Sequence, residues 1–245
     1  YFFYYYFAKS GNGENNPLGE RRHLVRSLVR MLIFSIIALE IAAVMLYPAY
    51  ISLSYGKTTF QSPSYELKTN FDLLDFFIKM MPTAYDTVRP DGLPFIACGS
   101  LTLLLMPMFF FARKPSGREK LAAAGFIAVF AVSMSLSLPD LVWHGFQTPN
   151  WLNYRYAFML IFFFITLAYR AFSELRELEI RWLLPVVFAL VALIAIAQKV
   201  CDYEWLSDIY VIWITLGLLA VSVFCIWAMR SRAMTRTAPL LLVAA

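Results

Sequence analysis

The chain has 245 residues, of which 60% are hydrophobic and 15% are charged, and its formal net charge is +5. A soluble domain has roughly 45–50% apolar and about 25% charged residues, so this composition excludes an ordinary soluble protein and predicts an integral membrane protein. The positive charge does not by itself indicate a nucleic-acid partner, because its meaning depends on where the basic residues lie along the chain.

Six apolar segments are long enough, alone or with adjacent polar residues, to form membrane-spanning helices. In chain order they are 30–50, 94–112, 121–138, 156–172, 182–198 and 209–229. The apolar runs are continuous, whereas the strands of an outer-membrane barrel alternate. We therefore predict an all-α fold, a polytopic transmembrane helical bundle, with residues 1–245 as a single domain. The terminal stretches YFFYYYF and APLLLVAA look like parts of further spans, so we expect a central piece of a longer chain.

Basic residues concentrate in alternate connections between the predicted spans, and acidic residues concentrate in the others. The positive-inside rule places the basic connections in the cytoplasm. The extracytoplasmic loops are then 51–93, 139–155 and 198–208. This arrangement explains the net charge without a nucleic-acid partner and predicts a multi-pass protein.

The long loop 51–93 contains two stretches of interest. FDLLDFFIKMM, residues 71–81, has apolar residues at helical spacing. It predicts either an amphipathic helix lying in the membrane interface or an ordinary loop helix packed on the bundle. In YDTVRPD, Asp86 and Arg89 are within reach of one another. Asp86 could orient a sugar hydroxyl and Arg89 could hold an anionic substrate, or the two could form a surface ion pair of little energetic value.

The stretch WHGFQTPNWLNYRYAF, residues 143–158, leads from the loop 139–155 into the next apolar span and gathers polar and aromatic groups at its edge. Arg155 could bind a lipid phosphate through two parallel hydrogen bonds, or it could be a snorkelling anchor that sets the depth of the helix. His144 could act as a general base or donate a hydrogen bond to phosphate, or it could be structural. Trp143 and Tyr156 flank these two residues.

Other chemistry-bearing residues are sparse. Cys98, Cys201 and Cys225 are isolated, so they indicate neither a zinc site nor a disulfide framework. Glu40 lies inside the first predicted span, where a carboxylate costs about 2.5–3.5 kcal/mol, and we expect it to face a polar interior or to be protonated. Nucleotide-binding and hydrolase motifs of soluble enzymes are not found.

Several of these stretches, taken together, resemble the YfhO family of bacterial membrane proteins. The resemblance covers about residues 1–175 and depends most on the W-H-G-F-Q-x-P-N segment. The matching stretches are LVWHGFQ at 141–147, Pro149-Asn150, Tyr154-Arg155-Tyr156, Phe158, Tyr85-Asp86, Gly92-Leu93-Pro94 and the basic loop ARKPSGREK.

The resemblance implies a GT-C-like architecture, in which a helical membrane bundle carries its active site at the extracytoplasmic surface of the bacterial plasma (inner) membrane. It also implies transfer of a sugar from a polyprenyl-phosphate donor to a cell-envelope glycopolymer acceptor such as teichoic or lipoteichoic acid. Expected partners are therefore membrane lipid, the polyprenyl-phosphate-linked sugar and that acceptor.

The resemblance further implies that an acidic residue in the first outer loop is the catalytic base or a metal-associated carboxylate. We expect that loop to precede Tyr1, which leaves the catalytic residue unknown and a divalent metal cofactor open. This piece alone should then be inactive. Arg155 and His144, with Trp143 and Tyr156 beside them, would bind the donor phosphate and the sugar.

The alternative hypotheses are a transporter or flippase of a lipid-linked or anionic solute, and a noncatalytic scaffold in an envelope complex. A transporter should show inverted repeats, helices broken at the midplane and polar residues along its spans. Polar residues here concentrate at the outer edge of the spans, which favours surface chemistry.

Overall fold

A computed structural model describes residues 2–10, 20–56, 65–82, 84, 92–146, 153–201 and 209–230. All regular elements within these residues are helices, which confirms the predicted all-α membrane fold. The elements are α1 (Phe2–Ser10), α2 (Glu20–Gly56), α3 (Leu73–Ile78), α4 (Ser100–Phe111), α5 (Gly117–Ser135), α6 (Ser137–Trp143), α7 (Ala157–Ser173), a 3-10 turn (Ile180–Trp182), α8 (Leu183–Val200) and α9 (Ile209–Arg230).

Among the residues that the structure describes, three helical stretches are long and apolar enough to cross a membrane, namely Arg21–Ser52, Ile180–Val200 and Tyr210–Arg230. Helices α4 and α7 are shorter, with 12 and 17 residues. The predicted span 94–112 is helical only from Ser100 onward. Gly99, with φ 85°, lies just before the helix in a conformation that glycine adopts without strain.

The core forms where α4 and α7 pack side by side. Helices associate in lipid through close packing and interhelical hydrogen bonds. One such bond joins the Ser100 and Ser222 hydroxyls of α4 and α9 at 2.9 Å. The buried side chains of the α4–α7 contact are Leu103, Leu104, Phe109, Leu160, Phe163, Phe164 and Leu167.

Ion pairs hold one end of the bundle, formed by residues 112–120 and 170–182 and called the basic end from here on. The Glu119 carboxylate is buried, accepts a hydrogen bond from the Tyr4 hydroxyl at 2.9 Å and pairs with Arg170 at 3.1 Å. These contacts tie α1, α5 and α7 together. Lys114 and Glu177 form a second pair at 3.0 Å.

Helix α2 differs from the other helices because all its side chains from residue 32 to residue 52 are exposed. Glu40 is among them, so it does not face a polar interior formed by the described residues. The His23 ring stacks on Tyr6 at 5.5 Å, and its Nδ1 lies 3.3 Å from the Tyr6 hydroxyl, which links α2 to α1.

Helix α3 lies within the predicted loop 51–93 and contacts α8 and α5. Ile78 and Met81 are fully buried in a small apolar cluster with Ile194 and Ala197 of α8. Lys79 is fully buried as well. Part of the long loop is therefore packed on the bundle.

One extended residue, Leu136, separates α5 from α6. Residues of the long loop pair with this break: the Asn70 amide donates to the Ser135 carbonyl at 2.7 Å, and the Ser137 amide donates to the Lys68 carbonyl at 2.9 Å. A break in a helix near lipid needs such partners, because unpaired backbone groups are costly there. The loop therefore stabilises the break that redirects the chain into α6.

Helix α6 ends in a Schellman motif. The Gly145 amide donates to the Val142 carbonyl at 3.2 Å, and the Phe146 amide donates to the Leu141 carbonyl at 2.7 Å. Gly145 has φ 64°, the left-handed conformation that this motif requires. The motif ends the helix immediately after Trp143 and holds the backbone of His144.

We predict that Gly145→Ala lowers the free energy of unfolding by about 1 kcal/mol, because a residue with a Cβ is strained at this φ. A Cβ would meet no heavy atom within 4 Å, so the cost is conformational. Thermal unfolding in detergent, followed by circular dichroism, measures the change. Gly125→Ala in α5, which also meets no atom within 4 Å, is the control and should leave stability unchanged or raised. Equal effects of the two substitutions would contradict the prediction.

Candidate functional site

The bundle end opposite the basic end carries a polar and aromatic group that we call the Asp140 cluster, defined as Asp140, Trp143, His144 and Tyr156. Helix α6 ends next to the start of α7 here. The Tyr156 hydroxyl lies 2.8 Å from Asp140 Oδ1 and 3.0 Å from the Ser133 carbonyl, so two acceptors share its proton. This contact joins α6 to the first residues of α7.

Asp140 also contacts His144. The two residues are four apart on one helical turn, which places their side chains on the same face. His144 Nδ1 lies 2.9 Å from the Asp140 backbone carbonyl and 3.4 Å from Asp140 Oδ1. A single carboxylate thus contacts both the imidazole and the tyrosine hydroxyl.

The aromatic members of the cluster present a flat surface. The Trp143 indole stacks on the Tyr156 ring with centroids 5.0 Å apart and planes 16° apart. Phe130 lies beside both rings. Trp143 is 42% exposed, whereas Tyr156 is 5% exposed. The indole can therefore contact a ligand ring while the buried tyrosine supports it from behind.

Two buried tyrosines position Arg155. Tyr154 and Tyr156 on either side are buried, and the Arg155 side chain is exposed. Tyr154 has φ 58°, and its ring packs edge-on against Phe71 of the long loop at 5.7 Å. Because both neighbours are anchored in the protein, the turn presents the guanidinium at the surface.

The electrostatic environment of His144 combines opposing effects. The hydrogen bond to the Asp140 side chain raises the pKa of His144, burial lowers it, and the nearby Arg155 charge also lowers it; the net direction is upward. The His144 side chain is 8% exposed. Its Nε2 is buried and has no hydrogen-bond partner among the described residues. Burial raises the pKa of Tyr154, so that hydroxyl stays protonated at neutral pH.

The structure brings together four of the six residues that the sequence singled out. Trp143, His144 and Tyr156 belong to the Asp140 cluster, and Arg155 adjoins it. Asp86 and Arg89 lie outside the described residues, as does the part of the W-H-G-F-Q-x-P-N segment from residue 147 to residue 150. The functional roles of these residues remain predictions.

The sequence analysis did not single out Asp140, which it treated as one of several acidic residues in the predicted outer loops. Its spacing from His144, D-x-x-x-H in a short helix, is the signal that could have identified the pair. Nothing in the sequence indicated that Tyr156, sixteen residues later, would bind the same carboxylate.

No group of three or more His, Cys, Asp or Glu side chains suited to a metal ion occurs in the part of the chain that the structure describes. The described residues therefore assign no metal ligands, and the divalent metal stays an expectation from the family resemblance.

An apolar groove of about 700 Å³ lies between α8 and α9, away from the Asp140 cluster. It extends from the middle of both helices toward the basic end, where Arg181 borders it. The residues that line its deeper part include Leu183, Val187, Leu219 and Val223. The groove is thus separate from the candidate site.

Comparison with known proteins gives a family match over the whole chain. The family model described as "Bacterial membrane protein YfhO" matches residues 1–245. No curated protein and no solved structure matches the chain.

We predict that Tyr156→Phe lowers the free energy of unfolding by about 1–2 kcal/mol, because it removes the hydroxyl that bonds Asp140 and keeps the ring that stacks on Trp143. Thermal unfolding in detergent measures the loss. Tyr169→Phe, at an exposed position of the same helix, is the matched control and should change stability little. A Tyr156→Phe protein as stable as the parent would show that the hydroxyl contributes nothing to the junction of α6 and α7.

Proposed function

Because the chain belongs to the YfhO family of bacterial membrane proteins, we propose that it functions as a membrane glycosyltransferase. The donor is a sugar linked to polyprenyl phosphate, and the acceptor is a cell-envelope glycopolymer such as teichoic or lipoteichoic acid. The chain works in this proposal as a multi-pass protein of the plasma membrane, with the Asp140 cluster on the extracytoplasmic side.

The observation that carries the proposal is the position of Arg155, an exposed cation whose charge acts on the buried His144 imidazole, next in sequence to Tyr156, on which the half-exposed Trp143 indole stacks. A lipid-linked sugar combines a phosphate at headgroup depth, a sugar ring above it and a long apolar tail below. A guanidinium binds phosphate oxygens through two parallel hydrogen bonds. The indole face offers an apolar surface to the sugar.

The surface of α7 below Arg155 suits the tail of such a donor. Phe158, Phe162, Ile165 and Tyr169 follow Arg155 at helical spacing, and their side chains are all exposed. They form an apolar stripe that runs from the cation along the helix. The isoprenoid tail can lie against this stripe while its phosphate stays at Arg155.

Arg155 contributes to the chemistry through charge. When the bond between the anomeric carbon and the phosphate oxygen breaks, negative charge develops on the leaving phosphate. A cation fixed at that position stabilises the transition state more than the ground state, which raises the rate. The buried tyrosines on either side of Arg155 hold the backbone, so little reorganisation is needed when the charge develops.

We predict that Arg155→Ala in the complete protein lowers sugar transfer by about 100-fold, since removing a charge-stabilising group typically costs 10²–10³ in rate. Transfer of radiolabel from a polyprenyl-phosphate sugar, measured on membranes, reports the change. Arg176→Ala, at an exposed position of the basic end, is the control and should keep activity.

Unchanged transfer by the Arg155→Ala protein would remove Arg155 from the site. Movement of the carrier across the membrane without sugar transfer, in the parent protein, would instead favour a flippase.

The proposed orientation has its own test, in which single cysteines replace Phe146 near the Asp140 cluster and Arg176 at the basic end. Both positions are exposed. In a variant with Cys98, Cys201 and Cys225 replaced by serine, a membrane-impermeant maleimide should label the Phe146→Cys protein in intact cells. The Arg176→Cys protein should be labelled only after the membrane is opened. The reverse pattern would contradict the orientation.

A further inference from the structure

One nitrogen of the His144 imidazole contacts Asp140, and the other is buried without a hydrogen-bond partner among the described residues. Its Nδ1 faces the Asp140 backbone carbonyl at 2.9 Å and Asp140 Oδ1 at 3.4 Å. A carbonyl oxygen only accepts hydrogen bonds, so Nδ1 must carry the proton. The neutral imidazole then has its lone pair on Nε2, and this is the nitrogen that is buried without a partner among the described residues.

Burying a nitrogen without a hydrogen-bond partner costs free energy unless a ligand supplies the missing hydrogen bond. The His144 side chain is more than nine-tenths buried, since only 8% is exposed. Around it, α6 contributes the Asp140 carboxylate, and the turn before α7 contributes the Arg155 guanidinium and the Tyr156 ring with its hydroxyl on Asp140. None of these groups hydrogen-bonds Nε2.

Resting on the function proposed above, and on the alternative in which the acid of the first outer loop is a metal-associated carboxylate, we propose that His144 is the proton acceptor of the transfer reaction and that Asp140 is its positioning residue. The acceptor hydroxyl gives its proton to His144 Nε2 while its oxygen forms a bond to the anomeric carbon of the sugar. The bond between that carbon and the phosphate oxygen breaks, and the polyprenyl phosphate leaves with the electron pair. The products are the glycosylated acceptor, polyprenyl phosphate and a protonated imidazole.

Arg155 and His144 then have different tasks. A guanidinium is a planar delocalised cation that matches phosphate geometry, so Arg155 supplies positive charge to the phosphate. An imidazole changes its charge near neutral pH, so His144 is the group that can accept a proton. The carboxylate of Asp140 stabilises the imidazolium that forms, as the acid does in a Ser-His-Asp triad.

Asp140 acts on His144 through its backbone carbonyl and through the negative charge of its carboxylate. The substitution Asp140→Asn removes only the charge. The backbone carbonyl still holds Nδ1–H, so the tautomer of His144 is retained. The negative charge is lost, so the pKa of His144 should fall by about one unit, as expected when an opposite charge is removed. Transfer needs the neutral imidazole, so the rate rises with pH through the pKa of His144. In Asp140→Asn this rise should move to lower pH by the same amount.

The experiment measures two quantities on the complete protein. The pKa of His144 comes from ¹⁵N-histidine NMR, with the signal identified by its loss in His144→Gln. The pH profile of transfer comes from the radiolabel assay. His144→Gln should lower transfer at least 100-fold, the usual size of general-base catalysis. Glu66→Gln, an exposed carboxylate of the long loop, is the control and should move neither quantity.

The proposal is supported if the NMR pKa and the acid side of the pH profile shift together in Asp140→Asn. It is overturned if the NMR pKa shifts while the pH profile stays in place, or if His144→Gln retains activity. In both of those cases transfer itself persists, and the function proposed above stands. A parent protein that transfers no sugar overturns both.

Discussion

The hydrogen bond between the Tyr156 hydroxyl and the Asp140 carboxylate is the contact on which the rest of this end of the protein depends. It joins α6 to α7 across the connection between them, and it orients the carboxylate toward His144 on the same helical face. A carboxylate at the edge of a low-dielectric region is costly unless hydrogen bonds satisfy it. Asp140 meets that requirement through the Tyr156 hydroxyl, and the ring of the same tyrosine stacks on the Trp143 indole.

The two ends of the bundle use polar groups differently. At the basic end, the Glu119 carboxylate binds both Tyr4 and Arg170, and Lys114 pairs with Glu177. These polar groups satisfy one another and hold helices together. At the opposite end, the Asp140 cluster leaves His144 Nε2 without a partner among the described residues. A network in which every polar group has a hydrogen-bond partner stabilises a fold. A polar group that the network leaves without a partner can hydrogen-bond a ligand.

Irregular segments carry the candidate site, and regular helices support them. The break at Leu136 needs backbone partners from the long loop, the Gly145 motif ends α6, and the left-handed Tyr154 precedes Arg155. Gly145 and Tyr154 lie next to His144 and Arg155, and the break at Leu136 precedes Asp140 by about one helical turn. The packed contact of α4 with α7 supplies the rigid base on which these turns rest. Loops held on a rigid framework are where binding residues are commonly found.

The sequence by itself determined the fold class and the region of the candidate site. Continuous apolar runs must be buried in lipid as helices, because only internal hydrogen bonds satisfy their backbone there, and this is why the all-α membrane fold could be predicted. The region of the site could be located because four polar and aromatic residues lie in one short stretch of the sequence, namely Trp143, His144, Arg155 and Tyr156. Asp86 and Arg89 stay predictions, since they lie outside the described residues.

Only the tertiary structure decided which groups touch. Asp140 became the centre of the cluster because the break at Leu136 turns α6 back toward the start of α7, and that break depends on hydrogen bonds to residues more than sixty positions away. The contact of Nδ1 with the Asp140 carbonyl determines which nitrogen of His144 keeps its lone pair, and no spacing rule specifies that contact. Periodicity reports which residues face lipid. The contacts between elements depend on how distant segments pack, and that information is not local to any stretch of the chain.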